Sequence, residues 1–180
     1  MIASADEVLA FWLDAGPGKW FKKDDAFDAA IVERFSKTHA AAVRGELENW
    51  VDSADSAMSL ILVLDQFSRN MFRDDPRAFA QDAYAMRVAH DAITKGFDQS
   101  FALPVRRFIY MPFMHSEDLA DQERCIALCE AGGDEEGVKY GKIHADIIRR
   151  FGRFPHRNKV LGRATLPEEQ TFLNAGGFSG

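Results

Sequence analysis

Apolar residues recur at helical spacing along most of the chain, and the runs are broken at glycine, proline and acidic capping residues. Ser4 followed by Glu7 makes a capping-box pattern ahead of Val8, Leu9, Phe11 and Trp12, which predicts a short first helix ended by Gly16, Pro17 and Gly18. Asp24 or Asp25 caps a second helix with an apolar stripe of Phe27, Ile31, Phe35 and Ala42 and a stop at Gly45. A third helix, from about Asp55 to Met71, is apolar on every side through Leu60, Ile61, Leu62, Val63 and Leu64, so it should be the central buried element. Asp75 with Pro76 opens a fourth, lined by Phe79, Ala83, Met86, His90 and Ile93 and closed by Gly96.

The stretch from Arg106 to Glu130 predicts two helices meeting at a bend near Pro112 to Ser116, because proline cannot donate the helical hydrogen bond. Gly132 and Gly133 end it, and an acidic turn from Asp134 to Glu136 leads into a helix through His144 to Phe151. An irregular run, GRFPHRNKVLGR, follows; Thr165 and Glu168 make a capping box for a last short helix, and residues 175–180 read as a frayed tail. With no alternating strand pattern anywhere, the expected fold is all-α, one domain over residues 1–180 with about seven to nine helices. No tetratricopeptide signature recurs at a spacing of roughly 34 residues.

Composition narrows the function classes. At 180 residues and 47% hydrophobic content the chain can bury a substantial core, and a net charge of -6 argues against indiscriminate nucleic-acid binding, which draws on excess lysine and arginine. The first residues, interrupted by Asp6, Glu7 and Asp14, read as neither signal peptide nor anchor, and no later segment is long and apolar enough to span a bilayer. Cys125 and Cys129 sit one helical turn apart, awkward for a disulfide, and read as small core residues; a cytoplasmic protein is expected.

Three polar constellations stand out. Asp65 follows five apolar residues and has Arg69 one turn later, which predicts a buried structural ion pair, with Asn70 beside it. His115, Ser116, Glu117 and Asp118 form a second: His115 with Glu117 or Asp118 could exchange protons, or Ser116 to Asp118 could simply cap a helix. No HExxH, Glu-x-x-His or paired CxxC pattern accompanies them, so neither a metal nor another cofactor is expected. The third is the basic run Arg149, Arg150, Arg153, His156, Arg157, Lys159 and Arg163, suited to a carboxylate or phosphate ligand or to the chain's own Glu117, Asp118, Asp121 and Glu123.

LDQFSRNMFR (Leu64 to Arg73), YMPFMHSEDLADQER (Tyr110 to Arg124) and RFGRFPHRNKVLGR (Arg150 to Arg163), with VLAFW near the start, make the chain resemble the bacterial family called domain of unknown function 924. The resemblance implies a helical fold of the tetratricopeptide-like superfamily and carries no activity with it. The family's motif positions match here at Asp65, Arg69 and Asn70, at His115, Ser116, Glu117 and Asp118, and at Arg153, His156, Arg157 and Asn158. Ser68, where the family more often shows proline, and Cys125 depart from the pattern.

Three readings follow. In the first, the protein is a binding protein in which Arg69, Asn70, His115, Arg153, His156, Arg157 and Asn158 hold a small anionic or carboxylate ligand. In the second, His115 acts as general base of a hydrolase-type enzyme, oriented by Glu117 or Asp118. In the third, the helices form a scaffold with a groove for a peptide or partner protein.

Overall fold

Local caps decide where each helix begins. Ser4 Oγ accepts the Glu7 N–H at 3.2 Å while Glu7 Oε2 accepts the Ser4 N–H at 2.7 Å, and α1 runs Ala5–Ala15 behind this reciprocal pair. Asp24 Oδ1 takes the Phe27 N–H at 3.0 Å at the head of α3, Asp25–Val43. Between them Pro17–Trp20 forms a one-turn helix, α2, where the sequence suggested only a break; proline at its first position supplies a helical φ, and Trp20 Nε1 donates to the Trp12 carbonyl at 2.7 Å.

The computed structural model describes residues 1–178, and every regular element among them is helical. After α3 come α4 (Ala54–Ile61), a π-helical segment (Leu62–Phe67) and α5 (Ser68–Met71), which run on without a break. They are followed by α6 (Asp82–Thr94), α7 (Arg107–His115), α8 (Leu119–Ala131), α9 (Glu135–Phe151) and α10 (Pro167–Asn174). Taking α4 to α5 as one, the described residues hold nine helices. None is long and apolar enough to cross a membrane.

Three boundaries differ from the sequence reading. Asp75 and Pro76 open only a 3-10 turn, Pro76–Ala78, and α6 starts at Asp82; its buried face is Ala85, Val88, Ala89 and Ala92, leaving Ala83 and His90 exposed. Small alanines allow close helix packing there, which the larger side chains nominated from the sequence would not. Pro112 lies inside α7, and the break between the two expected helices falls at the far end of the expected stretch, at Ser116 to Asp118. The last helix begins one residue later than Thr165 and Glu168 implied, with Glu169 Oε2 accepting the Leu166 N–H at 2.7 Å.

The helices gather into two compact units. The first comprises residues 1–73 and 77–112. Its core is aromatic: Trp12 is fully buried, with ring centroids of Phe108 at 5.3 Å, Phe27 at 5.8 Å and Phe67 at 5.9 Å, and Phe35 meets Phe67 at 5.1 Å. Such pairs add about 0.5–1.5 kcal/mol each beyond the area they bury. Leu60 through Leu64 are all 0% exposed, which makes α4 and its continuation the buried axis of this unit.

The π segment widens that axis and frees backbone acceptors, and side chains answer them. Ser68 Oγ donates to the Leu64 carbonyl at 2.6 Å and Arg69 Nη1 to the Asp65 carbonyl at 3.0 Å. With the Ser68 hydroxyl so engaged, His39 Nε2, 2.8 Å away, is the donor to Ser68 Oγ, and burial lowers the His39 pKa so that the ring stays neutral. The family departure at Ser68 thus carries a hydrogen bond that proline would lack.

The second unit comprises residues 74–76 and the chain from Phe113 on. Its frame is an antiparallel hairpin of α8 and α9, capped by Asp134 Oδ1 on the Gly137 N–H at 3.0 Å. Glycines let the two helices approach: a Cβ at Gly137 would stand 2.8 Å from Cys129 Sγ, and one at Gly141 would stand 3.0 Å from Ile126 Cγ1. Cys125 and Cys129 form no disulfide and are fully buried, and the hydrogen bond between them, with burial, pushes the Cys125 thiol up, so it stays protonated. Ile147, Ile148 and Phe154 form the apolar centre, with Leu119, Phe151, Phe172 and Phe178 packed on it. Phe178, within the tail expected to fray, is one of the residues packed on this centre, while positions 179 and 180 lie outside the described residues.

Candidate functional site

Arg69 and Asn70 belong to the first unit and make their bonds there. Arg69 Nη1 lies 2.9 Å from Asp65 Oδ1, and its two terminal nitrogens grip the Asp82 carboxylate at 2.9 and 3.0 Å. Burial opposes the Arg69 charge, but the two carboxylates outweigh it and raise the pKa. Asp65 is fully buried and also accepts from Gln66 Nε2 at 2.5 Å. Asn70 Nδ2 donates to Asp28 Oδ1 at 2.7 Å, and Arg73 pairs with the same carboxylate. This unit also carries a surface groove of about 500 Å³ whose lining includes Phe11 and Phe27, with Arg34 4.7 Å over the Phe11 ring and Lys19 5.7 Å over that of Phe27.

The other nominated residues belong to the second unit. Gly152, with φ of +68°, ends α9 and turns the chain, after which Pro155–Arg157 forms a 3-10 turn. That turn is braced by a chain of ion pairs and amide bonds. Arg163 Nη1 and Nη2 meet Glu117 Oε2 and Oε1 at 2.7 and 3.0 Å, and Glu117 Oε1 also accepts the Phe154 N–H at 2.8 Å. Burial alone would raise the Glu117 pKa; the Arg163 bond and the Phe154 amide outweigh it and lower it. Arg163 Nε then donates to Asn158 Oδ1 at 3.0 Å, and Asn158 Nδ2 to Glu169 Oε2 at 3.0 Å. Arg153 closes the chain on Glu169 with bonds of 2.6 and 2.8 Å, and this bond above all holds the Glu169 carboxyl down at about 2. Arg153 and Asn158 therefore brace the turn. Asp118 Oδ1 caps α8 on the Ala120 N–H at 2.8 Å.

Within this brace sits a cluster of rings. His144, on the buried face of α9, has its centroid 5.6 Å from that of Phe154 and 4.5 Å from that of Phe178; His156 stands 5.5 Å from Phe154 and 5.4 Å from Phe178. Arg157, 6% exposed, lays its guanidinium 4.4 Å from the Phe154 centroid. Burial lowers the His144 pKa to about 4, with His115 and Arg157 adding to the effect. Burial, then the charges of Arg157 and His144, lower that of His156 to about 3. Both imidazoles are neutral at pH 7. His144 Nδ1 lies 2.8 Å from the Tyr140 carbonyl, which only accepts, so Nδ1 carries its proton. His156 Nδ1 is buried and has no hydrogen-bond partner among the described residues.

The sequence nominated His115, His156 and Arg157 here and missed His144 and Phe178. His144 follows Gly137 and Gly141 at helical spacing on one face of α9, a stripe that marks it as inward-facing. Phe178 carried no signal, because a single phenylalanine among glycines reads as tail. No group of three or more His, Cys, Asp or Glu side chains suited to a metal ion occurs among the described residues.

The chain belongs to the family described as bacterial protein of unknown function DUF924, whose model matches residues 8–177. It is similar to the solved structure of a protein of unknown function, ATU0120, from Agrobacterium tumefaciens, at 45% identity and a TM-score of 0.92, covering 96% of this chain and 97% of that one. No curated protein matches.

Proposed function

We propose that this DUF924 protein is a helical binding protein, and that the cluster of His115, His144, His156 and Arg157 takes the carboxylate of a small anionic ligand. The reading rests on one observation, the buried and unpartnered Nδ1 of His156 beside the Arg157 charge. A buried polar atom left without a partner costs about 1–3 kcal/mol, and an anion that accepts from a neutral imidazole near a guanidinium relieves that cost with a charge-assisted bond. Binding fits better than hydrolysis, because Glu117 has both oxygens on Arg163 and Asp118 caps α8, which leaves both carboxylates engaged away from a role in orienting His115. Arg69 and Asn70 have no part in this reading, being bonded to Asp65, Asp82 and Asp28.

Thermal unfolding of the full chain against acetate, succinate and phenylacetate, with chloride at equal ionic strength as reference, tests it. A carboxylate-dependent rise in Tm that is lost in His156→Phe is the expected result. A flat response to all three overturns the reading.

A further inference from the structure

The last described residues bear on what such a ligand looks like. Gly176, with φ of +76°, donates to the Leu173 carbonyl at 3.2 Å, and Gly177 donates to the Phe172 carbonyl at 3.0 Å, the paired bonds of a left-handed helix C-cap on α10. Gly177 lies flat on the Phe172 ring, where a Cβ would stand 2.6 Å from its carbons. This stiff turn delivers Phe178 to one place: edge-on to His144 at 4.5 Å and to His156 at 5.4 Å.

Phe178 also forms part of the wall of a surface cavity of about 340 Å³, lined besides by Ile143, Ile147, Phe172, Lys142 and Asp146. The same ring thus borders an apolar cavity and covers two imidazoles, one of them with an unpartnered nitrogen. Besides packing on the apolar centre of Ile147, Ile148 and Phe154, the ring stands edge-on to both imidazoles, whose nitrogens hydrogen-bond better to a ligand than to a benzene edge.

We infer that Phe178 is a tethered plug in the carboxylate site, and that the site's ligand is an arylalkyl carboxylate whose ring takes the place of Phe178 while its carboxylate reaches His156. The inference rests on the carboxylate reading of the histidine cluster. The ligand's apolar body enters along Ile143, Ile147 and Phe172, past the Lys142 ammonium, and displacement of Phe178 joins the cavity to the imidazoles.

The test is calorimetric titration of the full chain with phenylacetate, and with benzyl alcohol as the uncharged counterpart, for the parent, Phe178→Ala and Gly177→Ala. Phenylacetate is expected to bind Phe178→Ala at least about tenfold more tightly than the parent, because no tethered ring competes. Gly177→Ala, whose Cβ pushes the turn off Phe172, is expected to act in the same direction and stands in if Phe178→Ala does not fold. Equal affinity in parent and variants overturns the plug and leaves the carboxylate reading intact. Benzyl alcohol binding the variants as tightly as phenylacetate overturns the carboxylate as the recognised group but keeps the plug. Absence of phenylacetate binding in all three chains overturns the plug, and the carboxylate reading falls with it when acetate and succinate also leave Tm unchanged.

Discussion

Arg163 holds Glu117 with both arms of its guanidinium, at 2.7 and 3.0 Å, across 46 positions of sequence. The same carboxylate accepts the Phe154 amide at 2.8 Å, so one side chain fixes the backbone that presents His156 and Arg157. Glu117→Ala should leave the guanidinium and that amide to find water. Since both side chains are about a quarter exposed, at 29% and 24%, the loss should be about 2 kcal/mol, below the figure for a fully buried pair. At about 2–4 °C per kcal/mol for this size, Tm should fall by about 4–8 °C. A variant within about 0.5 kcal/mol of the parent by urea unfolding would show the clamp to be idle.

Arg69 has a different task, neutralising Asp65, whose side chain is 1% exposed. Arg69→Leu strands that carboxylate in the core of the first unit and should cost about 3–5 kcal/mol. Adding Asp65→Asn should recover a large part of the loss. Urea titrations of the single and double variants measure the coupling, and strict additivity would mean that the 2.9 Å contact contributes nothing.

The α8–α9 hairpin makes a steric prediction. Alanine at Gly137 would meet Asp134 Oδ2 at 2.5 Å and Cys129 Sγ at 2.8 Å, disturbing the cap as well as the packing, and should destabilise by about 1–3 kcal/mol. Alanine at Gly141 meets only Ile126, with the side-chain Cγ1 at 3.0 Å and Cα at an ordinary 3.9 Å, and should cost under about 1 kcal/mol. A reversed order in thermal melts would contradict this account of how the helices approach.

The two buried imidazoles should give the fold a pH dependence above the carboxylate range. Their pKa values are depressed, to about 4 for His144 and about 3 for His156, against an ordinary 6.5 in the unfolded chain. Above pH 6.5 both states are neutral and nothing is lost. Below it the unfolded chain takes up protons that the folded chain refuses, so stability falls as pH drops and levels off for each ring only below its folded pKa. Arg157 and His115 lower both values further, and Glu117 opposes the shift at His156. Between pH 7.5 and 5 the loss should be on the order of 4 kcal/mol, about 2 from each ring, and His156→Phe should remove roughly half of it. A flat urea midpoint over that range would count against burial of these histidines.

Much of this architecture is written locally. Ser4 with Glu7, Asp24 and Asp134 place their helix starts because a cap needs only three or four adjacent residues to act. The Asp65 and Arg69 pair was legible for the same reason, four residues apart on a buried helix. The start of α6 was not, because Asp75 and Pro76 carry a valid local signal that a 3-10 turn satisfies equally well. For the candidate site, sequence gave the basic run but could not divide it: Arg153 and Arg163 answer Glu169 and Glu117, 16 and 46 positions away, and nothing local distinguishes them from Arg157. Phe178 gains its meaning only from His144 and His156, across long sequence separations that no periodicity records.

The π segment at Leu62–Phe67 acts as a phase shifter in the axis of the first unit. It accommodates one residue more than an α-turn would over the same rise, so everything after it is rotated by roughly 100° relative to an uninterrupted helix. Asn70 and Arg73 both reach Asp28 on α3 under that rotation, while Arg69 reaches Asp82. Removing a single residue within the segment would restore a smoother helix and point each of these side chains away from its carboxylate. The irregular turn is thus the gear that brings the charges of the LDQFSRNMFR motif into mesh, and length there is under tighter constraint than the identity of any one of its apolar residues.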